Sequence, residues 1–400
     1  MSFFEKLKSY KLIFLIVILA ALGQMTQTMY VPSINLMSIY FDTLPSNLAI
    51  VMAVYMIPYG FSQFIYGSLS DIYGRKNIIL ISLIIFLVGT ALAVCTSDFD
   101  LFLLGTFIQG IGIGSSGAMV RTVPRDKYSG FELRKANSIA SMGLVICPLL
   151  GPLLGSFLST IFPWQSSYIF LLCMCVVVYI LMQTSFDETL PIELRKKENI
   201  IRKYKDVLLN KEFSIFLFCI LATFSGLAIY EAEAGILLGS TLHFKPAEVS
   251  ILFIIPLPGF LIGSWLAGKC RTKKISYKLM LASSLCLVLG SLIILSAGVL
   301  YQVNTISIIL GGFIYFLGAG VIFPLSVSFA IEPFKNKAGT AGALLGGVQN
   351  LGAGIFVLLG SEMSTQTEID LGIVLLFCSF LSLLMLSMVY RTFRKYALSV

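Results

Sequence analysis

Twelve stretches of this chain are each long and apolar enough to cross a bilayer, and that restricts it to very few architectures. They lie near 12–33, 47–67, 77–95, 101–123, 136–160, 165–184, 213–238, 247–268, 276–298, 304–330, 339–361 and 370–390. A spanning helix needs roughly 20 apolar residues. Inside lipid no water is available to the backbone, so each span must satisfy its own N–H and C=O groups by folding as a helix. Composition points the same way. Of the 400 residues 57% are hydrophobic and 12% charged, with a mean hydropathy of +0.93; a soluble domain carries about 25% charged residues. The chain therefore reads as an all-α membrane protein with twelve transmembrane helices.

Charge placement sets the expected orientation. A formal charge of +8 can signal nucleic-acid binding, but the distribution of the bases argues against that. With the N-terminus inside, every Lys and Arg except Lys245 falls on the inner side of the twelve alternating spans. Basic loops stay in the cytoplasm, so both termini are expected there. The bases face the lipid bilayer surface, and no nucleic-acid partner is expected. Residues 1–11 are short and basic like the start of a signal peptide. The apolar run after them is too long for a signal core and reads as an uncleaved first helix.

The eight cysteines lie in or at the ends of apolar spans without a C-x-x-C pair, and read as small packing residues. His243, in an outer loop, is open to two readings: a solvated side chain or a pH sensor. No metal-ligand spacing, nucleophile–base set or nucleotide loop stands out, and Gly110-x-Gly-x-Gly lies within an apolar span. No metal, cofactor or enzyme activity is expected.

The second and third spans are joined by Gly67-Ser-Leu-Ser-Asp-Ile-Tyr-Gly-Arg-Lys-Asn77. This pattern resembles the signature between helices two and three of the major facilitator superfamily of transporters. The resemblance implies two pseudo-symmetric six-helix bundles, 1–184 and 212–400, joined by a cytoplasmic linker at 185–211. A weak echo, Gly263-Ser-Trp-Leu-Ala-Gly-Lys-Cys-Arg271, stands between the eighth and ninth spans, with Ala267 in place of the Asp. In the family the matching Asp and Arg latch the two halves on the cytoplasmic side. Gly67, Asp71, Gly74, Arg75 and, at the inner end of the fourth span, Arg121 are accordingly expected as a cytoplasmic gate. A plain charged turn at Asp71 and a plain positive anchor at Arg121 remain open readings.

Three further stretches resemble the Bcr/CflA branch of drug exporters: Thr28-Met-Tyr-Val-Pro-Ser33, Arg121-Thr-Val-Pro-Arg-Asp126 and Asp187-Glu-Thr-Leu-Pro191. Gly151-Pro152-x-x-Gly155 resembles the helix-five antiporter motif. The branch implies export of small amphipathic compounds in exchange for protons, by alternating access, from a monomer in the bacterial inner membrane. Two features depart from it. Thr28 stands where an acid is common, and Gly105 stands where an Arg is common. The rival readings are a transporter of a specific metabolite such as a siderophore, and a non-transporting receptor.

An acid at the bilayer centre costs at least about 2.5 kcal/mol and marks an ion path by default. Most acids here fall in loops, and two, Glu231 and Glu233, fall in the seventh span. Residues two apart on a helix point about 200° apart, so the pair cannot share one cavity. Glu231, on the face of Phe224, Leu227 and Ala234, is the first candidate for proton coupling and Glu233 the second. The third reading puts both at a wet outer rim. A drug cavity needs apolar and aromatic walls with few polar points. Tyr30, Gln109, Glu231, Tyr315 and Gln349 are the candidate substrate contacts. The second span also carries Tyr55, Pro58, Tyr59, Gln63 and Tyr66.

Overall fold

The computed structural model describes residues 3–128, 133, 136, 150–195, 200–270, 272–334, 338–363 and 367–397. Among the described residues eleven helices are long and apolar enough to cross a membrane. The fifth span appears as a shorter apolar helix, α6 (Leu150–Ile161). Most of the 136–150 part of that span, with Cys147, lies outside the described residues.

Contacts divide the chain into two units. The first comprises Met1–Asp42, Val54–Arg202 and Gly342–Leu351, and the second Thr43–Ala53, Lys203–Ala341 and Gly352–Val400. The division at Arg202 and Lys203 falls inside the 185–211 stretch, which holds a short helix, α8 (Ile200–Leu208).

The first unit is built on α1 (Phe3–Thr28), α2 (Ile34–Tyr40), α3 (Ile50–Tyr73), α4 (Arg75–Cys95), α5 (Phe99–Lys127), α6 and α7 (Gln165–Ser185). Its densest pairing is α4 on α5. Small residues allow that approach, because lipid supplies no hydrophobic drive between helices and backbones must come close to gain dispersion. A Cβ at Gly112 would strike the backbone of Phe86, and one at Gly105 would stand 2.8 Å from Ala93 N. On the other face of α5, Gly110 and Gly114 lie against Tyr55 and Ser62 of α3. The second unit repeats the device. In it α12 (Lys273–Tyr301) packs on α13 (Thr305–Ile331) and α15 (Glu368–Ala397), and α9 (Lys211–Ile236) on α13 and α15. Gly290 lies 2.5 Å, as a notional Cβ, from Gly311 O across the α12–α13 seam.

Two of the expected spans stand but carry an internal break, and one expectation needs correction. The first span is not one helix to residue 33: α1 stops at Thr28, Pro32 sits in a 3-10 turn over Val31–Ser33, and α2 follows. The eighth span is two helices, α10 (Pro246–Ile254) and α11 (Leu257–Gly268), separated at Pro256, whose ring nitrogen has no hydrogen to donate. Glu368, expected in the outer connection, begins α15 and is 0% exposed. It is buried because its carboxylate accepts from Asn304 N and, at 2.6 Å, from Ser307 Oγ at the start of α13.

Filling a contact glycine should be costly where a backbone stands opposite and harmless where space is open. Gly112→Val is expected to lower stability by about 1–3 kcal/mol, read as a fall in melting temperature of the detergent-solubilised chain. Gly360→Ala on α14 (Ala338–Met363), where a Cβ meets nothing within 4 Å, should leave it unchanged or raise it.

Candidate functional site

The joint between α3 and α4 is set by Gly74. Its φ of +92° is open to glycine and strained for other residues, and it turns the chain so that Arg75 opens α4. A helix start leaves N–H groups without intrahelical partners. Here Glu188, beyond the end of α7, supplies them: Oε1 accepts from Arg75 N at 3.0 Å and Oε2 from Lys76 N at 3.2 Å. A Cβ on Gly74 would occupy the place of the Glu188 carboxylate. Glycine is therefore required there twice, by backbone angle and by space.

Arg75 is the hub. Its side chain is 4% exposed. Nη1 donates to Asp71 Oδ1 and to Ser70 Oγ, each at 2.6 Å, and Nε donates to Asp126 Oδ2 at 3.0 Å. Thr189 Oγ1 donates to the same Asp126 oxygen at 2.9 Å, and Arg195 Nη2 lies 3.5 Å from Glu188. The guanidinium thus joins the ends of α3, α4 and α5, and the chain after α7 is tied in through the Arg75 backbone N–H and through Asp126. A buried cation is tolerable only with such complete pairing. Gly67, one turn before Asp71, accepts from Ser70 Oγ at 2.7 Å.

Arg121 lies on α5, also in the first unit. Its aliphatic stem runs beside Gly342 and its Nη1 reaches Gly346, one turn further along α14. Gly346 also faces Gln63 Oε1. Gln63 is 0% exposed, and neither its oxygen nor its nitrogen has a hydrogen-bond partner.

The helix-five residues Gly151 and Gly155 bring α6 against the end of α1. Notional Cβ atoms there meet Thr28 Oγ1 and Met29 O respectively, and Pro152 lies between them. Tyr30 is buried near Tyr168. Gln109 is fully buried and donates from Nε2 to Thr90 Oγ1 on α4 at 2.8 Å, so it is aimed into the α4–α5 seam. Gln349 is buried on α14 within the first unit. In the second unit, Tyr315 is fully buried with its hydroxyl against Gly226 of α9. Between Ser225 and Gly239 every residue is buried except Glu231. Leu221, Phe224 and Glu231 form the less buried face of α9, and Glu233 is 7% exposed on the buried side.

The sequence reading missed Asp126 and Glu188 as partners of Arg75. Both stand in stretches quoted for family resemblance, but nothing in their spacing gives a pairing across 51 or 113 residues. The second unit has one ion pair near the matching joint; Arg271, which the sequence echo sets opposite Arg75, lies outside the described residues. Lys273, first residue of α12, pairs with Glu332, just past α13, at 2.7 Å. Arg75 and Asp126 hold the matching places at the start of α4 and the end of α5. Lys273 and Glu332 are both about half exposed, and an exposed pair is worth about 0–1 kcal/mol.

Two units of spanning helices, each tied by an ion pair between its third helix and the end of its fourth, define a multi-pass membrane protein with an internal repeat. The chain belongs to the Major Facilitator Superfamily of transporters, whose family model matches residues 13–357. It is 36% identical over 371 residues to multidrug resistance protein D of Escherichia coli K12, covering 93% of each chain. It is 25% identical over 362 residues to multidrug resistance protein MdtL of Salmonella paratyphi C, covering 90% of each. Among solved structures, the xylose transporter XylE from E. coli matches with a TM-score of 0.73 at 13% identity, over 96% of this chain and 97% of that one. The nucleoside transporter NupG matches at 0.71 and 14%, over 94% and 98%. At such identities the structures establish the fold alone.

Removing the cap on α4 should be measurable. Glu188→Ala is expected to destabilise the solubilised chain by about 0.5–2 kcal/mol. Glu193→Ala, an exposed acid nearby, should change thermal stability by less than about 0.5 kcal/mol.

Proposed function

We propose that the chain exports small amphipathic compounds from the bacterial cytoplasm across the inner membrane in exchange for protons. The observation that carries this reading is full-length similarity at 36% identity to a relative named as a multidrug resistance protein. Transport proceeds by alternating access, in a monomer with both termini cytoplasmic. The Arg75 hub, with Gly67, Asp71, Gly74 and Arg121, belongs to the cytoplasmic gate.

Glu231 is the proton-coupling acid, with Glu233 as the alternate. The exposure pattern of α9 supports this order, because Glu231 is the one acid on its less buried face. Proton and cationic substrate compete for the same carboxylate: protonation on one side releases the substrate, and deprotonation on the other admits the next. That competition suffices for exchange without any other energy source. Tyr30 and Gln349 remain as proposed substrate contacts, whereas Gln109 and Tyr315 are taken up by helix seams, and the glycines of the helix-five motif, with Pro152, let α6 lie close against α1.

The reading is tested in proteoliposomes with an imposed pH gradient and a cationic dye. The native chain should accumulate dye only with the gradient, and Glu231→Gln should abolish gradient-driven uptake while the chain still folds. Undiminished uptake in that variant would move the coupling role to Glu233, and no flux with any amphipathic dye would reject the exporter reading.

A further inference from the structure

Arg121 has no carboxylate or hydrogen-bond partner among the described residues, and that is anomalous for a guanidinium inside a spanning helix. Arginine stays charged in any protein setting, and within a membrane it usually pairs with an acid or backbone carbonyls, or reaches out to the surface. Among the described residues Arg121 pairs with neither an acid nor a carbonyl, and its side chain is only partly exposed. The acids near it in the first unit are engaged: Asp71 and Asp126 hold Arg75, and Glu188 holds the start of α4. The nearby carbonyl, Gly346 O, accepts from Asn350 Nδ2 at 3.0 Å. The side chain does not reach toward the basic end of α5 either. Its Cδ lies at Gly342 and its Nη1 at Gly346, so it runs inward along α14, away from the helix start. A second cation, Arg125, lies one turn further along α5 and acts on it electrostatically.

Polar groups surround it. Gln63, fully buried with both amide atoms unpartnered, faces the same point on Gly346 as Arg121 Nη1. Ser116 Oγ is buried and stands beside the Tyr59 hydroxyl at Gly23. The Tyr59 hydroxyl faces Ser116, Gln24 and Arg121. Gly342 and Gly346 leave α14 without side chains where the guanidinium lies, and a Cβ at Gly346 would displace it. The set offers a forked cation, an amide and two hydroxyls as donors, and contains no acid.

We infer that Arg121, Gln63, Ser116 and Tyr59 form a binding site for the anionic head group, carboxylate or sulfonate, of an amphipathic substrate. The inference rests on the exporter reading for the word substrate, while the site itself stands on geometry. A guanidinium binds such a group by donating two parallel hydrogen bonds, and the Gln63 amide supplies a third donor once it is turned so that Nε2, in place of Oε1, faces the point at Gly346. The chain would then hold an anion in its first unit, separate from the acid on α9 in its second.

The test is equilibrium binding to the full chain in nanodiscs of phosphatidylcholine, with empty discs subtracted. The probes are pyrenebutanoate and pyrenebutyl-trimethylammonium, which share an apolar body and differ in head charge. The native chain should bind pyrenebutanoate saturably. Arg121→Gln should weaken that binding at least about tenfold and spare the cationic probe. Arg121→Lys should keep part of the anion affinity, and Gly346→Ala, which alters no charge, should lower it. Failure of the native chain to bind the anion, or equal anion binding by native and Arg121→Gln, would overturn the inference. Adding phosphatidylglycerol separates the two sources of an anionic head group. Unchanged pyrenebutanoate affinity assigns the site to the amphipath, and displacement assigns it to lipid phosphate and overturns the substrate claim. Because the readout is binding, an inactive exporter with an Arg121-dependent anion site would reject the exporter reading alone. Gradient-driven dye transport without anion binding would reject the site alone.

Discussion

In lipid a helix gains nothing from burying one apolar side chain against another, because the acyl chains around it are as apolar as leucine. The constraint on which the whole structure depends is thus contact distance. Once each span has satisfied its own backbone, cohesion comes from dispersion between surfaces brought close, and only residues without bulk allow it. Both units obey this rule at the same kind of seam. Gly105 and Gly112 put α5 on α4, and Gly290 and Gly311 put α12 on α13. Serines also bond across helices, Ser82 to Ser115 in the α4–α5 seam and Ser291 to Ser379 between α12 and α15. Such bonds average about 0.6 kcal/mol each in membranes, so they align the helices more than they hold them.

The charged hub is a different solution to a different problem. Arg75 is out of water, and the penalty for that exceeds what any single partner returns. The unit meets it by multiplicity: two carboxylates and a hydroxyl on one guanidinium, with a third carboxylate on the backbone beside it. In the second unit Ala267 stands in the place of the Asp. Among the described residues Lys273 and Glu332 form a half-exposed pair at the start of α12 and the end of α13. Helix order is thus repeated, while the charges at this joint differ between the two copies.

The spans were legible because hydropathy over a length of about 20 residues is a local property. The orientation was expected for the same reason, from bases in short loops. Pro32 and Pro256 were equally visible, and their effect was underestimated: a span interrupted by proline still reads as apolar while its helix is broken. Asp71 and Arg75 could be linked by eye since they stand four apart on one motif. Asp126, Glu188 and Glu368 could not. An acid next to a helix end looks like a loop residue until its partners are known, and those partners are set by folding. Gln63 was visible as one polar residue among several on its helix. Its two unpartnered atoms, and the inward course of Arg121, exist only in three dimensions.

Glu188, with Thr189 and Arg195 just after it, belongs to the last part of the hub to be made. The ribosome releases α3, α4 and α5 well before it, so for an interval the start of α4 stands uncapped and Gly74 has no carboxylate to close upon. The cap on α4 therefore arrives only with the segment after α7, whose carboxylate reaches back to residue 75. Synthesis order and structural order run in opposite directions at this joint: a late segment closes an early turn.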